Sequence, residues 1–328
     1  MHAPHHAEDG PGPTRITTDP RARGARRGCM PPGGDKEAGA LGADAAQGED
    51  GAVVTLHQLP QEFLGDPEFL RRFRAEVPIV AHLDGTYVVR TRACVEDAFG
   101  MALVTDYVDG GWLRQLMTTG LLRDPESTLV VMRDTLLGLE AAHREGILHR
   151  DLRPEKIMVD RQGVARVAEL GLVARTPGGR WIPGTPEYMA PELWSGDDPT
   201  IGSDIYAATV VLVECLTGAP PYLGGAVVVR DQHLRAPLPG ADLPPEIAPL
   251  VRFGMAKAPH QRYLRAWDYA EAVEGAGRTL GGPDWERRGR RRLTTAVAAV
   301  LAPTPGHDPN EPPRGLIGRA RFRRRVRS

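Results

Sequence analysis

The chain has 328 residues, a formal net charge of −1, and 41% hydrophobic but only 5% aromatic residues. That length suits one two-lobed domain of roughly 250 residues plus tails. The three cysteines, Cys29, Cys94 and Cys215, lack metal-ligand or redox spacing, which excludes a disulfide scaffold or zinc module and leads to the expectation of a reduced, cytoplasmic protein. No run of about 20 apolar residues exists to span a membrane, and the piece Ala296–Ala302 is too short. The N-terminus carries no apolar core of a secretion signal, and His2, His5 and His6 read as part of a disordered start rather than a metal site.

Residues 1–50 are dense in Gly, Pro, Ala and charge, without apolar periodicity. Such a segment buries too little surface to offset its ordering entropy, so disorder is expected. Pattern begins at Ala52–Leu56, a short β-type run. Asp66-Pro67-Glu68 then caps a helix that continues through Phe69, Leu70, Phe73 and Val77. Tyr87–Arg90 and Met101–Thr105 read as strands. From Glu126 to Glu145, apolar residues from Leu129 to Ala142 follow a helical period, and Asp204–Leu216 is apolar on nearly all sides, as a buried helix is. Amphipathic segments continue to about Leu280. A basic helix starts at Trp285, and an Arg-rich tail ends at Arg321–Arg327. Such a tail binds nucleic acid, anionic membrane or an acidic protein, or simply stays solvated, which is the reading preferred.

His149-Arg150-Asp151-Leu152-Arg153-Pro154-Glu155-Lys156 resembles the catalytic loop of protein kinases, His-Arg-Asp-Leu-Lys-Pro-Glu-Asn. Gly184–Glu192 is similar to the end of a Ser/Thr-kinase activation segment, Ser203–Tyr206 to the start of the buried large-lobe helix, and Lys257–Arg262 to a late Arg-bearing motif. Four motifs in order, from Val53 to Leu280, identify a resemblance to bacterial, actinobacterial-type Ser/Thr kinases. The resemblance implies an α+β, two-lobed kinase-like fold. Its small β-rich N-lobe covers residues 51–105, and the sequence leaves open whether residues 24–50 supply its first two strands. A hinge at 106–111, containing Asp106 and Val108 at the nucleotide edge, leads to a large helical C-lobe at 112–280, and residues 281–328 form an Arg-rich helix and tail. It also implies an ion pair between Glu192 and Arg262, and hydrogen bonds from the catalytic-loop backbone to Asp204.

The chemistry is less well kept. Phosphoryl transfer needs a Gly-rich cradle, a Lys on the phosphates, a Glu holding that Lys, metal ligands and a carboxylate for the substrate hydroxyl. The best cradle stretch, Gly33–Gly42, has the wrong spacing and carries Asp35 and Glu37. The strand lysine is replaced by His57; Lys36 substitutes only if its segment folds back. Glu76 matches the Lys-holding Glu, and either pairs with His57 or is solvated. Asp151 keeps the substrate carboxylate, Arg153 replaces the loop Lys, and Lys156 replaces a metal-binding Asn. The metal Asp becomes Glu169. Thr176 and Thr185 are the only Ser/Thr residues of a short activation segment, and Arg150 would receive a phosphate on Thr176. The expectation is therefore a pseudokinase that binds a protein partner and transfers phosphate weakly or not at all, with ATP and Mg²⁺ as cofactors only if it is active. The alternative is an atypical Ser/Thr kinase using ATP and Mg²⁺ on protein substrates, with Asp151 as base, Arg153 and Lys156 on the phosphates and Glu169 on Mg²⁺. A third reading is a scaffold acting through its Arg-rich tail.

Overall fold

A computed structural model describes residues 43–47, 52–59, 64–83, 85–97, 100–171, 185–240 and 242–302. The small lobe is a four-stranded antiparallel sheet with one helix on it. Its elements are β1 (Ala43–Gln47), β2 (Val53–Gln58), α1 (Pro67–Ala81), β3 (Thr91–Asp97) and β4 (Gly100–Asp106), in sheet order β1-β2-β4-β3. Asp66 starts α1 by accepting from the backbone N–H groups of Glu68 (2.9 Å) and Phe69 (3.2 Å), which satisfies donors the first turn leaves open. Phe69 and Phe73 of α1 then pack with Leu59, Met101 and Leu103 against the sheet.

Two expectations change here. β1 lies inside the segment read as disordered, because pairing with β2 from Ala43↔His57 to Gln47↔Val53 supplies a backbone ladder that composition does not reveal. Tyr87–Arg90 is not a strand. Val88 and Val89 are apolar because they are buried between the lobes, where Val89 N–H donates to Val167 O and Val167 N–H to Tyr87 O. The strand is the more polar Thr91–Asp97 that follows.

The large lobe begins with β5 (Gly110–Trp112), α2 (Leu113–Met117) and α3 (Pro125–Arg144). β6 (Ile157–Asp160) and β7 (Ala165–Val167) form a hairpin, with β5 on its edge. Then come α4 (Pro191–Ser195), α5 (Ile201–Thr217), α6 (Ala226–Arg235), α7 (Ala248–Gly254), α8 (Ala266–Gly281) and α9 (Trp285–Leu301). α5 is the axis of this lobe: from Ser203 to Cys215 every residue is buried. Among the described residues no helix is long and apolar enough to cross a membrane.

The expected boundary at residue 280 does not hold, because α9 is part of the large-lobe core. Trp285, Leu293, Ala296 and Val297 are buried in the main apolar cluster. Gly289 permits a close crossing on α3, since a Cβ there would lie 2.6 Å from Glu126 O. The arginines read as a basic surface face acidic groups of α3. Arg288 Nε donates to both Glu126 oxygens (3.1 and 3.0 Å), and Arg292 Nη1 donates to Asp124 (2.9 Å) and Glu126 (2.7 Å). Arg290 forms a bidentate pair with Asp134 (2.8 and 3.0 Å) and also reaches Gly163 O (3.1 Å), while Asp134 accepts from Ala165 N–H (3.1 Å). The helix thus ties α3 to the β6–β7 hairpin. Residues 303–328, which hold the rest of the Arg-rich tail, lie outside the described residues.

Asp134 is fully buried, and burial raises its carboxyl even though Arg290 opposes the shift. Arg290→Ala strands that charge and is expected to cost roughly 3–5 kcal/mol in urea unfolding at neutral pH. A carboxyl with a raised folded pKa takes up a proton on folding, so the deficit is complete above that pKa. It shrinks as pH falls below it. A deficit independent of pH would count against Asp134 as its source.

Candidate nucleotide and phosphotransfer site

The catalytic loop is shaped from below by Asp204 in the first turn of α5. Its carboxylate accepts from His149 N–H (2.8 Å) and Arg150 N–H (2.9 Å), and His143 Nε2 lies 2.8 Å away. Burial alone would raise the Asp204 carboxyl; His143, His149 and the backbone donors hold it below the usual range. These bonds keep Arg150 at φ 71°, a left-handed conformation that costs a non-glycine residue about 1–2 kcal/mol. Asp151 then faces the chain ahead: its Oδ1 accepts from Thr185 N–H (3.3 Å), and Arg153 Nε lies 3.5 Å from Oδ2. Arg153 therefore sits beside the candidate base, as its place in the motif requires.

Across the cleft, His57 is buried near the end of β2. Its Nε2 lies 3.1 Å from Thr105 Oγ1, and its Nδ1 lies 3.2 Å from Glu169 Oε1. Thr105 is a member of the cluster that sequence reasoning missed. The signal was in the sheet: His57 opposes Leu103 in the β2–β4 register, so Thr105 is its diagonal neighbour on the same face.

Lys156 and Glu169 meet in a buried ion pair between Nζ and Oε2. Both leave the hairpin ends that Ala168 N–H joins to Lys156 O (2.8 Å), and a left-handed backbone at Glu169 (φ 59°) accompanies its inward turn. Burial pushes the Glu169 carboxyl up, but Lys156 and His57 overcome this and hold it well below the usual carboxylate range. The atypical-kinase assignment needs Lys156 on phosphate and Glu169 on a metal; the two groups are instead spent on each other. Glu169 offers one oxygen to an ammonium and the other to an imidazole, and Lys156 has no lone pair. These residues do not fit Mg²⁺. Among the described residues no group of three or more His, Cys, Asp or Glu side chains is arranged to hold a metal ion.

Glu76 is neither solvated nor paired with His57. It makes a bidentate pair with Arg150 (Nη1–Oε2 2.9 Å, Nη2–Oε1 2.8 Å), and Arg72 Nε lies 3.6 Å away. The guanidinium, with its fixed fork, is the better partner for a carboxylate than a neutral imidazole. Gly171 makes room: a Cβ there would fall 2.6 Å from Glu76 Oε2, at φ +73°. Arg150 is thus committed to α1 rather than to an activation-segment phosphate, and Thr176 lies outside the described residues, as does the cradle stretch Gly33–Gly42. Lys36 is outside them too, and Lys257 Nζ donates to His233 O (2.8 Å) in the large lobe.

Away from the cleft, Glu192 and Arg262 form a buried bidentate pair, 2.7 Å at each bond. Asp106 pairs with Arg92, and its N–H donates to Arg90 O (2.8 Å). Val108 follows in the hinge, where an open cavity of about 470 Å³ is lined by Asp106–Asp109, Val88–Arg90 and Asp160–Gln162. None of the groups around Glu169 lines that cavity.

A model of the protein kinase domain matches residues 43–238. The chain is 32% identical to the serine/threonine-protein kinase PknH of Mycobacterium bovis over 278 residues, which are 80% of this chain and 46% of PknH. It is 32% identical to PknL of Mycobacterium tuberculosis over 76% of this chain and 65% of PknL. It is 37% identical to PkaB of Streptomyces coelicolor over 67% of this chain and 56% of PkaB. The chain thus spans about half to two thirds of these relatives. In fold it is similar to the crystal structure of the Mycobacterium tuberculosis PknI kinase domain, with a TM-score of 0.60 and 24% identity, covering 74% of this chain and 93% of that one.

Removing one partner of the buried Lys156–Glu169 pair leaves an uncompensated charge. Lys156→Met is expected to cost roughly 3–5 kcal/mol in chemical denaturation, and Lys156→Met/Glu169→Leu to recover most of it. Because the Glu169 carboxyl is lowered in the folded state, its stabilising contribution is complete above the unfolded pKa. It is lost as pH falls through the folded value. An additive double mutant would show that the two side chains are not coupled.

Proposed function

The chain belongs to the protein kinase domain family, in its bacterial Ser/Thr branch, and we propose that within it this protein is a pseudokinase that acts by binding a protein partner. The observation that carries this reading is the fate of the phosphate-holding pair. His57 stands where the lysine belongs and is taken up by Thr105 and Glu169, while Glu76 has turned to Arg150. Losing one preorganised electrostatic group costs about 10²–10³ in rate. Two such losses would leave turnover far below the range of roughly 1–100 s⁻¹ usual for kinases. The large lobe keeps its buried supports, the Glu192–Arg262 pair and the Asp204 bonds, which favours a role that needs the fold rather than the phosphate-holding pair. With Cys94 and Cys215 as free thiols, the cytoplasm is the compartment this reading takes.

A second reading, an atypical Ser/Thr kinase with protein substrates and ATP, is favoured by one observation: Asp151 and Arg153 lie side by side, with Thr185 N–H on Asp151. Incubating the protein with γ-labelled ATP, Mg²⁺ or Mn²⁺ and a general protein acceptor separates the two. The pseudokinase reading expects incorporation no greater than that of Asp151→Asn; label transfer that depends on Asp151 would overturn it.

A further inference from the structure

The Lys156–Glu169 contact looks like a replacement rather than a loss. By its resemblance, the site had two oxygen donors, an Asn and an Asp, sharing a cation. Both positions have changed here, and the two new side chains are complementary in charge and in contact. Independent decay gives no reason for that outcome. The longer Glu side chain and the lysine stem meet in a buried place, with Lys156 4% and Glu169 7% exposed, and His57 Nδ1 lies 3.2 Å from the remaining oxygen.

We propose that Lys156 is a tethered substitute for the divalent cation, its ammonium filling the cation side of Glu169 so that the cleft is built to stay metal-free. This deepens the pseudokinase reading and rests on it for why no metal is required. A magnesium ion needs oxygens at about 2.0–2.1 Å, a place on Oε2 that the ammonium already holds. Adding the ion would set a divalent and a monovalent charge against one carboxylate. Removing the lysine charge should tighten metal binding by about 10³-fold or more, since two unit charges about 4 Å apart at an effective dielectric of about 20 already repel by roughly that factor and the ion carries two.

Lys156→Asn restores an oxygen donor and releases Glu169 together. With Mn²⁺ as the probe on the full chain, read by paramagnetic resonance of the unbound ion and by thermal midpoint, wild type is expected to show no uptake that depends on Glu169. Lys156→Asn is expected to gain Mn²⁺ binding by at least about 10³-fold, with a midpoint that rises with metal. Adding Glu169→Gln to it should abolish both effects. Wild-type uptake that disappears in Glu169→Gln overturns the proposal, and that arm decides the matter even if Lys156→Asn folds poorly. A folded Lys156→Asn that stays blind to Mn²⁺ also overturns it, since the lysine would then not be what excludes the ion. Labelled-phosphate transfer on the same samples keeps the two readings apart. Transfer by a metal-blind wild type sinks the pseudokinase and spares the tethered cation; metal uptake without transfer does the reverse.

Discussion

The Asp204 carboxylate is the constraint from which the rest of the site follows. It is buried, so its charge must be met, and it is met by backbone N–H groups of His149 and Arg150 and by His143. Charge-assisted bonds of this kind contribute about 1.5–3 kcal/mol each, enough to hold Arg150 in its left-handed conformation. That backbone conformation accompanies the reach of the Arg150 side chain up to Glu76 and the direction of Asp151 toward Thr185. A single acid in a buried helix thereby fixes three side chains that lie on other elements.

The charge exchange in the cleft is also linked, not a set of separate losses. Once β2 offers an imidazole instead of an ammonium, Glu76 lacks a strong partner there, and the nearest fork-shaped cation is Arg150. Once Lys156 stands buried at the end of the loop, a carboxylate within reach must neutralise it. Glu169 does so, with His57 on its other side. Each of these buried charges thus ends on the partner that the fold brings nearest to it.

Much of the fold was legible in the sequence because its signals are local. The 3.6-residue period shows α3, continuous apolarity shows α5, and the Asp66-Pro67 cap shows α1. The large-lobe motifs were legible for a different reason: their residues must satisfy buried charges, which leaves few alternatives. What escaped was set at long range. β1 depends on a ladder to β2 and carries little β propensity of its own. Val88 and Val89 looked like a strand because burial between lobes and burial in a sheet select the same residues. The partner of Glu76 could not be read at all, since Arg150 is 74 positions away and its choice depends on what β2 fails to provide.

α9 carries the same lesson into the site. An arginine series reads as a solvated face or a polyanion-binding surface because sequence gives sign without partner. In the fold, Asp124, Glu126 and Asp134 are the partners, and Asp134 is buried deeply enough to require one. Through Ala165 N–H and Gly163 O the same pair grips the β6–β7 hairpin. That hairpin begins just after Lys156 and ends just before Glu169. The matched family region ends at residue 238, yet a helix beyond it holds the two strands that present the ion pair at the centre of the cleft. The register of Lys156 against Glu169 is therefore supported from beyond the residues that the family model matches.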